Sequence, residues 1–485
     1  MNAPLRRLAG VIALMFASLL ISVTWVQVVE ADSLNNRPGN ARALFKQFGR
    51  DRGPILVAGS PVAESVRVND PYRFQRTYPG GAIYSNLTGY YSVVYGTTQL
   101  EATEDELLSG TADRLFYTRI GQLLTGDQPQ GASVELTINP RVQQVAWNAM
   151  QGMRGAVVAL NPQTGDVIAM VSTPGYDPAL MAEHDTTKVR ANRAKLLADP
   201  NRPLDNRAIA GTQYPPGSVF KLVTAATALS SGKFTPDSVL PGPAELPLPG
   251  TTTTLPNDFP GACTPSGTIT MADALRISCN TAFGSLGMQV GDDALRAQAD
   301  KFGFGQDLSI PLPVTPSFFP AQASAAETAQ CAIGQFDVRV TPLQIAMITS
   351  AIANHGVLMR PNLIRTVRAG SNLEVIDRPT PQRFGSPISA QVASQLTQMM
   401  TQVVDAGTGV RAQISGVEVA GKTGTAQHGV DQPPHAWFTS FAPAENPQVA
   451  VAVVVEDGGG LGDAASGGRV AAPIAKQVME AVIHP

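Results

Sequence analysis

A serine and a lysine three positions apart are the residues best suited to chemistry in this sequence. Ser218 follows the turn signal Pro215-Pro216-Gly217, and the apolar run over residues 219–229 predicts a helix that begins at the serine. Residues three positions apart share one helix face, so the Lys221 amine can reach the Ser218 hydroxyl and take its proton. The alternative is a helix-capping serine beside a solvated lysine, because Ser-x-x-Lys also occurs by chance.

A second pair of polar residues, Ser278 and Asn280, lies on either side of Cys279. The pattern predicts the end of one helix and the start of another at this point. At such a junction both side chains can point into one cleft, where the hydroxyl would relay a proton and the carboxamide would hold a substrate amide. The alternative is a simple pair of capping residues.

A third motif, Lys422-Thr423-Gly424-Thr425, follows an alternating apolar run that predicts a strand over residues 417–425. Lys422 can hold a negative charge, and the hydroxyls of Thr423 and Thr425 can orient a carboxylate. A glycine within a strand usually marks a close approach of backbone or ligand, so Gly424 indicates that a ligand arrives at this edge. The alternative is a surface strand with a bulge.

The elements that must position these motifs alternate between strands and helices. Predicted strands cover residues 134–138, 155–160, 166–171, 417–425, 436–442 and 449–455, and predicted helices cover 140–150, 219–229, 341–354 and 473–483, with another from Met271. Strands at both ends with helices between them predict an α/β (α+β) domain with a central antiparallel sheet flanked by helices. The stretch 232–266, rich in Pro, Gly and Thr, predicts irregular surface.

The N-terminus predicts a membrane anchor. Arg6 and Arg7 precede an uncharged apolar run over residues 8–26 that is long enough to span a bilayer. The positive-inside preference then predicts a single-pass protein of the cell membrane whose catalytic region is extracytoplasmic. The alternative is a cleaved signal peptide with Val29-Glu30-Ala31 as its cleavage site, although the apolar run is longer than a usual signal core.

The length of 485 residues predicts more than one domain. We expect a cytoplasmic tip and transmembrane anchor over residues 1–30, a non-catalytic N-terminal module over 31–132 that serves as a dimerisation or pedestal unit, and a catalytic domain over 133–485. Most of the chain's tyrosines lie in the module, among them Tyr72, Tyr78, Tyr84, Tyr90, Tyr91 and Tyr95. They either fill a small core or form a partner-binding surface.

Composition argues against several partners and cofactors. Charged residues make up 15% of the chain and the net charge is −3, so we expect no nucleic-acid partner. The histidines have no metal-ligand spacing with one another or with the cysteines, so we expect no metal and no other cofactor. Cys263 and Cys279 are close in sequence and are the candidate disulfide, with Cys331 buried as a small apolar residue.

The order Ser-x-x-Lys, Ser-x-Asn, Lys-Thr-Gly resembles the signature of penicillin-recognising serine acyl-transferases. The chain is similar to the class B penicillin-binding proteins and, within them, to the actinobacterial penicillin-binding protein A group. Further landmarks are Gly155 to Asp177, Ala332-Ile333-Gly334-Gln335, Thr341-Pro342-Leu343-Gln344, Ala436-Trp437-Phe438 and, in the N-terminal module, Tyr84 to Gly96. The likeness covers most of the chain and implies the transpeptidase fold of penicillin-binding proteins and serine β-lactamases.

The resemblance implies a role for each motif residue. Ser218 would be the acylated nucleophile, Lys221 its base, and Ser278 the relay that passes the proton to the leaving amine. The substrate would be held by Asn280 at its amide and by Lys422, Thr423, Gly424 and Thr425 at its terminal carboxylate. The backbone N–H groups of Ser218 and Thr425 would form the oxyanion hole.

The implied function is a D,D-transpeptidase that cross-links peptidoglycan stem peptides at D-Ala-D-Ala, is acylated by β-lactams, and serves cell-wall synthesis and cell division. Division proteins would bind through the N-terminal module. Two alternatives share the motifs. One is a D,D-carboxypeptidase or β-lactamase, in which water replaces the acceptor amine; the other is a non-catalytic β-lactam sensor or division scaffold.

One residue departs from the family pattern. Gln335 is followed by Phe336, where many relatives have glycine. We expect the phenylalanine to change the packing behind the cleft without touching the motif residues.

Overall fold

The computed structural model describes residues 2–30, 33, 45, 47–115, 130–211, 213–370, 372–429 and 432–484. The parts of the predicted N-terminal module at 31–32, 34–44, 46 and 116–129 lie outside the described residues. The chain begins with the helix Asn2–Thr24, which continues as a π-helical segment, Trp25–Val29. The stretch Ala3–Val29 is long and apolar enough to cross a membrane, a property that signal sequences share.

A five-stranded antiparallel sheet forms the centre of the molecule, as the sequence predicts. Its strands, in spatial order, are Ala420–Ala426, His435–Ala442, Val449–Val455, Gly155–Leu160 and Val167–Thr173. The last strand in sequence pairs with the first, since Val455 lies opposite Gly155 and Ala450 opposite Leu160. The fold therefore closes only when distant parts of the chain meet.

Both faces of this sheet are covered by helices, which explains why its strands contain so few polar residues. Val451 and Val453 face the helices Pro140–Ala149 and Ala471–Ile483, and the alternate residues of the same strand face the helix Pro342–Ala353. Two of these helices, Pro140–Ala149 and Pro342–Ala353, begin with proline in the first turn. The second start agrees with the prediction from Thr341-Pro342. The remaining helices are Thr186–Ala198, Lys221–Ser230, Asn280–Val290, Asp292–Lys301 and Ala390–Ala406, with shorter ones at Ser85–Thr88, Gln99–Thr103, Asp105–Leu108, Ala179–Ala182, Met271–Arg276 and Ala325–Cys331.

A second sheet joins the N-terminal module to the rest of the molecule. Its six strands, in spatial order, are Val375–Asp377, Ile364–Arg368, Ser133–Leu136, Ile55–Val57, Ser60–Arg67 and Phe74–Thr77. Sequence reasoning placed the strand near residue 134 in the catalytic domain, but it pairs in parallel with Ile55–Val57 and antiparallel with Ile364–Arg368. Backbone hydrogen bonds therefore cross the predicted boundary at residues 132 and 133.

The interior of the N-terminal module combines aromatic residues with an ion-pair cluster. Tyr78, Tyr84, Tyr90 and Tyr91 are buried, which favours a core role for these four tyrosines over a partner-binding surface. Beside them, Glu101 is 0% exposed and lies 2.6 Å from Arg52 and 2.7 Å from Arg76, measured between carboxylate oxygen and guanidinium nitrogen. We call Arg52, Arg76 and Glu101 the paired cluster.

The stretch 232–266 was expected to be irregular, and this expectation is wrong in part. Short strands pair within it and just beyond it: Glu245–Pro247 with Thr254–Pro256, and Val239–Pro241 with Thr268–Thr270. Each strand buries one leucine or isoleucine between exposed neighbours, too short a pattern to stand out among the prolines and threonines. The remaining two-residue strands are Tyr91–Ser92, Gly96–Thr97, Leu308–Ser309, Pro313–Val314 and Leu358–Met359, with Arg383–Gly385 one residue longer.

Candidate active site

Ser218 lies in a tight turn that leads into a helix. The turn is a 3₁₀ segment, Gly217–Phe220, and the α-helix Lys221–Ser230 follows it directly. The α-helix therefore begins after the serine and not at it, where the sequence predicts its start. Ser218 is 4% exposed, so bulk solvent has little access to its side chain.

Hydrogen bonds on two sides fix this turn. Trp437 Nε1 donates to Pro215 O at 3.1 Å, and the backbone N–H of Gly217 donates to Gly334 O at 2.9 Å. Gly217 has a φ of +55°, and a Cβ there would stand 2.7 Å from Thr425 O. Only glycine allows the nucleophile turn to lie this close to the strand Ala420–Ala426.

Lys221 directs its amine toward the second motif. Its Nζ donates to Asn280 Oδ1 at 2.7 Å, to Ser278 O at 2.8 Å and to Ser278 Oγ at 3.3 Å. Within the described residues no hydrogen bond joins Lys221 Nζ to Ser218 Oγ, so the direct contact predicted from the three-residue spacing is not seen. The amine has instead three acceptors from the segment around Ser278.

The environment of Lys221 favours a neutral amine. The side chain is 0% exposed, and all of its hydrogen-bond acceptors are uncharged. Burial lowers the pKa of Lys221 to about 7, and the negative charge of Asp258 opposes that shift. A substantial fraction of this lysine is therefore able to accept a proton near neutral pH.

Ser278 lies between two buried lysines. Lys422 Nζ donates to Ser278 Oγ at 2.8 Å, on the other side of the hydroxyl from Lys221. Burial and the neighbouring charge of Lys221 lower the pKa of Lys422 well below its ordinary value. Ser278 also has a φ of +62°, a conformation that costs energy for a residue other than glycine. The structure thus contains a continuous hydrogen-bonded path from Lys221 through Ser278 to Lys422.

Asn280 begins the helix Asn280–Val290, and both ends of its carboxamide have partners. Its Oδ1 accepts from Lys221, while its Nδ2 donates to Asp258 Oδ1 at 3.0 Å and to Pro256 O at 3.2 Å. Asp258 was missed by sequence reasoning, because it lies in the Pro-rich stretch that predicts irregular surface. Its nearness in sequence to Cys263 is the one signal that could have pointed to it.

The strand Ala420–Ala426 brings the third motif to the same cleft. Thr423 Oγ1 is hydrogen-bonded to Thr408 Oγ1 at 2.6 Å, a residue that sequence reasoning also missed. A Cβ on Gly424 would stand 2.9 Å from Trp437 Cβ and 3.2 Å from Pro216 O, which explains the glycine. Thr425 lies beside Gly217, as described above.

Two adjoining cavities open over these residues. The smaller, of about 330 Å³, is lined by Asp258, Phe259, Ile277, Ser278, Thr408, Val410, Arg411, Thr423, Gly424, Thr425, Ser466, Gly468 and Arg469. The larger, of about 850 Å³, is lined by Ala244, Glu245, Pro256, Asn257, Asp258, Phe259, Pro260, Gly261, Thr425, Gln427, Gln432, Pro434, Ala465 and Ser466. Asp258, Phe259, Thr425 and Ser466 line both, so the two cavities meet near the nucleophile turn.

Cys263 and Cys279 form a disulfide in the structure, with Cα atoms 6.0 Å apart, and Cys331 is a buried free thiol. The bond ties the loop that carries Asp258 to the segment Ser278–Asn280. It therefore lies directly beside the second motif.

Two histidines and an aspartate come together next to the larger cavity, although the sequence predicts no such group. The potential ligand atoms of His428, His435 and Asp457 lie within 4.8 Å of one another, because strand pairing joins segments that are far apart in sequence. The two imidazole rings stack at 3.7 Å with planes 12° apart, and His435 Nδ1 accepts the backbone N–H of Asp457 at 3.2 Å. Parallel rings do not aim their lone pairs at one point, so the arrangement does not fit a metal ion.

Two buried lysines share one serine hydroxyl, and burial favours the neutral form of Lys221. On a five-stranded antiparallel sheet this arrangement defines the penicillin-recognising serine acyl-transferases. The chain belongs to the penicillin-binding protein transpeptidase family: residues 155–480 match the penicillin-binding protein transpeptidase domain. Residues 52–134 match the penicillin-binding protein A dimerisation domain.

Relatives and solved structures agree with this assignment. The chain is 44% identical to the peptidoglycan D,D-transpeptidase PbpA of Mycolicibacterium smegmatis over 100% of this chain and 99% of the relative. It is 42% identical to PbpA of Mycobacterium tuberculosis with the same coverage. The ceftriaxone acyl-enzyme complex of penicillin-binding protein A from M. tuberculosis matches with a TM-score of 0.87 and 41% identity, over 90% of this chain and 100% of that one. The resemblance inferred from the motifs is confirmed.

Proposed function

We propose that the chain is a peptidoglycan D,D-transpeptidase that works through an acyl-enzyme on Ser218 and is inhibited by β-lactams. The observation that carries this proposal is the position of the Ser278 hydroxyl, 3.3 Å from Lys221 Nζ and 2.8 Å from Lys422 Nζ. It gives the cleft both a base and a route for the proton.

In the acylation step, neutral Lys221 takes the proton of Ser218 as Oγ attacks the carbonyl of D-Ala-D-Ala. The new C–Oγ bond forms and the peptide C–N bond breaks. The proton passes from Lys221 through Ser278 to the departing amine, and D-Ala leaves. No histidine or metal is needed, because burial already brings the pKa of Lys221 to about 7.

Substrate binding assigns the two lysines different roles. The terminal carboxylate of the donor peptide binds beside Lys422, Thr423 and Thr425, and its negative charge favours the protonated form of Lys422. The positive charge of Lys422 in turn favours the neutral form of Lys221. The substrate therefore helps to prepare the base that attacks it.

The remaining roles follow from position. Asn280 holds the donor's amide, and Gly424 gives the donor room along the strand. The backbone N–H groups of Ser218 and Thr425 stabilise the developing oxyanion, which is supported by the close packing of the nucleophile turn against that strand. Cys263 and Cys279 hold one wall of the cleft.

In the second step an amine of a neighbouring strand takes the acyl group, and a new peptide cross-link forms. A carboxypeptidase or β-lactamase would use water instead. The acyl-enzyme would then be short-lived, whereas a transpeptidase acylated by penicillin holds its label.

We propose for this chain the division into domains that the sequence predicts. Residues 1–30 form the cytoplasmic tip and the anchor, with residues 8–26 in the membrane and the catalytic domain, 133–485, outside the cytoplasm. Residues 31–132 form the non-catalytic module, which binds division proteins and places the enzyme in cell division. The match of residues 52–134 to a dimerisation domain supports a non-catalytic role for this module.

The test is acylation of the full chain in detergent by a fluorescent penicillin, followed by tryptic mapping of the adduct. We expect one label, on Ser218, that persists for many minutes after free penicillin is removed. Ser218→Ala should abolish labelling. Ser285→Ala, which removes a buried hydroxyl from the helix Asn280–Val290, is the matched control and should label normally.

A label on another residue would overturn the site assignment. A label on Ser218 that is lost within seconds would favour the hydrolytic alternatives. Cell-wall growth fully restored by Ser218→Ala would favour the scaffold.

A further inference from the structure

Asp258 is a charged residue at the junction of the two cavities. Its Oδ1 accepts a hydrogen bond from Asn280 Nδ2 at 3.0 Å, and its side chain is otherwise exposed to the cleft. Its negative charge also acts on both Lys221 and Lys422. A carboxylate in this place is unexpected for the donor alone, because the donor's terminal group is itself a carboxylate and like charges repel.

The two cavities carry opposite charge. Apart from Asp258, the charged residues that line the smaller cavity are basic, Arg411 and Arg469, and Lys422 is buried beneath it. The charged residues that line the larger cavity are Glu245 and Asp258, and its described lining includes no lysine or arginine. The smaller cavity therefore suits the donor's carboxylate, and the larger one suits a cation.

The acceptor of a transpeptidase is such a cation. A primary aliphatic amine is protonated at neutral pH and must reach the acyl group on Ser218 from a side that the donor does not occupy. The larger cavity, of about 850 Å³, has room for a second peptide, and its lining includes both Asp258 and Thr425, whose backbone packs against Gly217.

We propose that Asp258 binds the acceptor amine, and that the larger cavity is the acceptor subsite. The inference rests on the proposed function and adds the residue and the cavity that receive its second substrate, the acceptor amine. Asp258 attracts the ammonium form, which must release one proton to water before the amine attacks.

Attack forms the C–N bond and gives the nitrogen a positive charge in the tetrahedral intermediate, close to the Asp258 carboxylate. The nitrogen then passes one proton to Lys221. Lys221 returns it to Ser218 Oγ as the C–Oγ bond breaks, so the free serine is restored. Asp258 exchanges no proton in this sequence and acts by charge alone.

The test compares two nucleophiles on one acyl-enzyme. The full chain in detergent is acylated by an N-acyl-D-alanyl thioester at pH 8. The acyl group is then partitioned between N-acetyl-D-lysinamide, whose side-chain amine is cationic, and hydroxylamine, which is uncharged. Mass spectrometry of the two products gives a ratio from which the acylation rate cancels.

We expect Asp258→Asn to lower the lysinamide-to-hydroxylamine ratio roughly three- to fivefold, the size expected for a partly exposed charge pair. Glu245→Gln should lower it by less, because Glu245 lies farther along the larger cavity, and Asp258→Glu should restore most of the wild-type ratio. Asp307→Asn is the matched control, an exposed aspartate that lines neither cavity, and should leave the ratio unchanged.

An unchanged ratio in Asp258→Asn would overturn the proposal, whether both products keep their wild-type yields or fall equally. An equal fall is the result expected if Asp258 only positions Asn280. These outcomes leave the proposed function intact, since both require an acyl-enzyme on Ser218. Absence of any acyl-enzyme in the wild-type chain would instead contradict the proposed function.

Discussion

Two of the places where the described residues bury charge treat it in opposite ways. In the paired cluster of the N-terminal module, the Glu101 carboxylate lies against both Arg52 and Arg76. In the cleft, Lys221 and Lys422 are each 0% exposed, and their hydrogen-bond acceptors are hydroxyl, carbonyl and carboxamide oxygens.

The pKa shifts record this difference. In the paired cluster burial would raise the pKa of Glu101, but Arg76 and Arg52 hold it below its ordinary value. In the cleft burial dominates and lowers the pKa of both lysines. Ion pairing therefore keeps Glu101 ionised, whereas burial without a counter-ion favours the neutral form of the two lysines. A general base must be neutral to accept a proton.

The contrast between the two sites is tested most directly by Lys221→Met, which keeps an unbranched side chain one atom shorter and removes the amine proposed as the base. We expect acylation by penicillin to slow by about 10³-fold, within the range for loss of a general base. Folding should be retained, because the gain from removing a buried amine offsets the loss of its hydrogen bonds to Asn280 Oδ1 and Ser278 O. Stopped-flow labelling and urea denaturation measure the two effects.

Lys476→Met is the control for this variant, since Lys476 is a partly exposed lysine on the C-terminal helix Ala471–Ile483. It should change neither acylation nor stability by much. If Lys221→Met acylated at the wild-type rate, Lys221 could not be the base.

Glu101→Gln should do the opposite of Lys221→Met, because it should lower stability and leave acylation unchanged. It leaves Arg52 and Arg76 buried without their shared counter-ion, and we expect the free energy of unfolding to fall by about 3 kcal/mol or more. The folded fraction should still acylate at the wild-type rate. Asp105→Asn is the matched control, because Asp105 is more exposed and Glu101 still pairs Arg52, so its loss should cost less than about 1 kcal/mol. Equal costs for the two variants would contradict the contrast between the two sites.

The pH dependence of acylation sharpens the contrast further. Since Lys221 must be neutral to act, and its pKa is about 7, the acylation rate should rise as pH increases through about 7 and level off above it. Below that value each pH unit should cost about tenfold. Asp258 raises the pKa of Lys221, so Asp258→Asn should move the midpoint to lower pH. Penicillin labelling from pH 5.5 to 9 tests both statements, and a rate independent of pH would rule out a titrating base.

Much of the central sheet could be predicted from the sequence because most of its strands are apolar runs bounded by turn residues. The two strands around Asn161-Pro162-Gln163-Thr164-Gly165 and the strand Val449–Val455 are of this kind. The three motifs could be assigned to one site because the family resemblance implies that they meet, which their spacing in the sequence does not show. Ser278 and Lys422 are far apart in sequence, yet their side chains meet at 2.8 Å.

The features that were missed depend on long-range pairing. The strand Ser133–Leu136 is only four residues long, and nothing local shows that Ile55–Val57 and Ile364–Arg368 flank it. Asp258 and Thr408 lie in loops whose role comes only from the neighbours that the fold brings to them. The group of His428, His435 and Asp457 is likewise created by strand pairing.

The smallest expected effect concerns Phe336, beside the cleft. The expectation that it changes the packing behind the cleft is wrong: its side chain is 42% exposed, and its φ is +59°. A left-handed backbone costs a phenylalanine about 1–2 kcal/mol and glycine far less, which explains why glycine suits this position. Phe336→Gly should therefore stabilise the fold by about 0.5–1 kcal/mol, after the greater chain entropy of glycine is deducted.

Phe318→Gly is the control for this variant. Phe318 is similarly exposed, has no positive φ and pairs with Arg339, so the change should destabilise the fold. Urea denaturation distinguishes the two, and if Phe336→Gly also slowed acylation, the strain at this position would belong to the catalytic machinery and not to the scaffold.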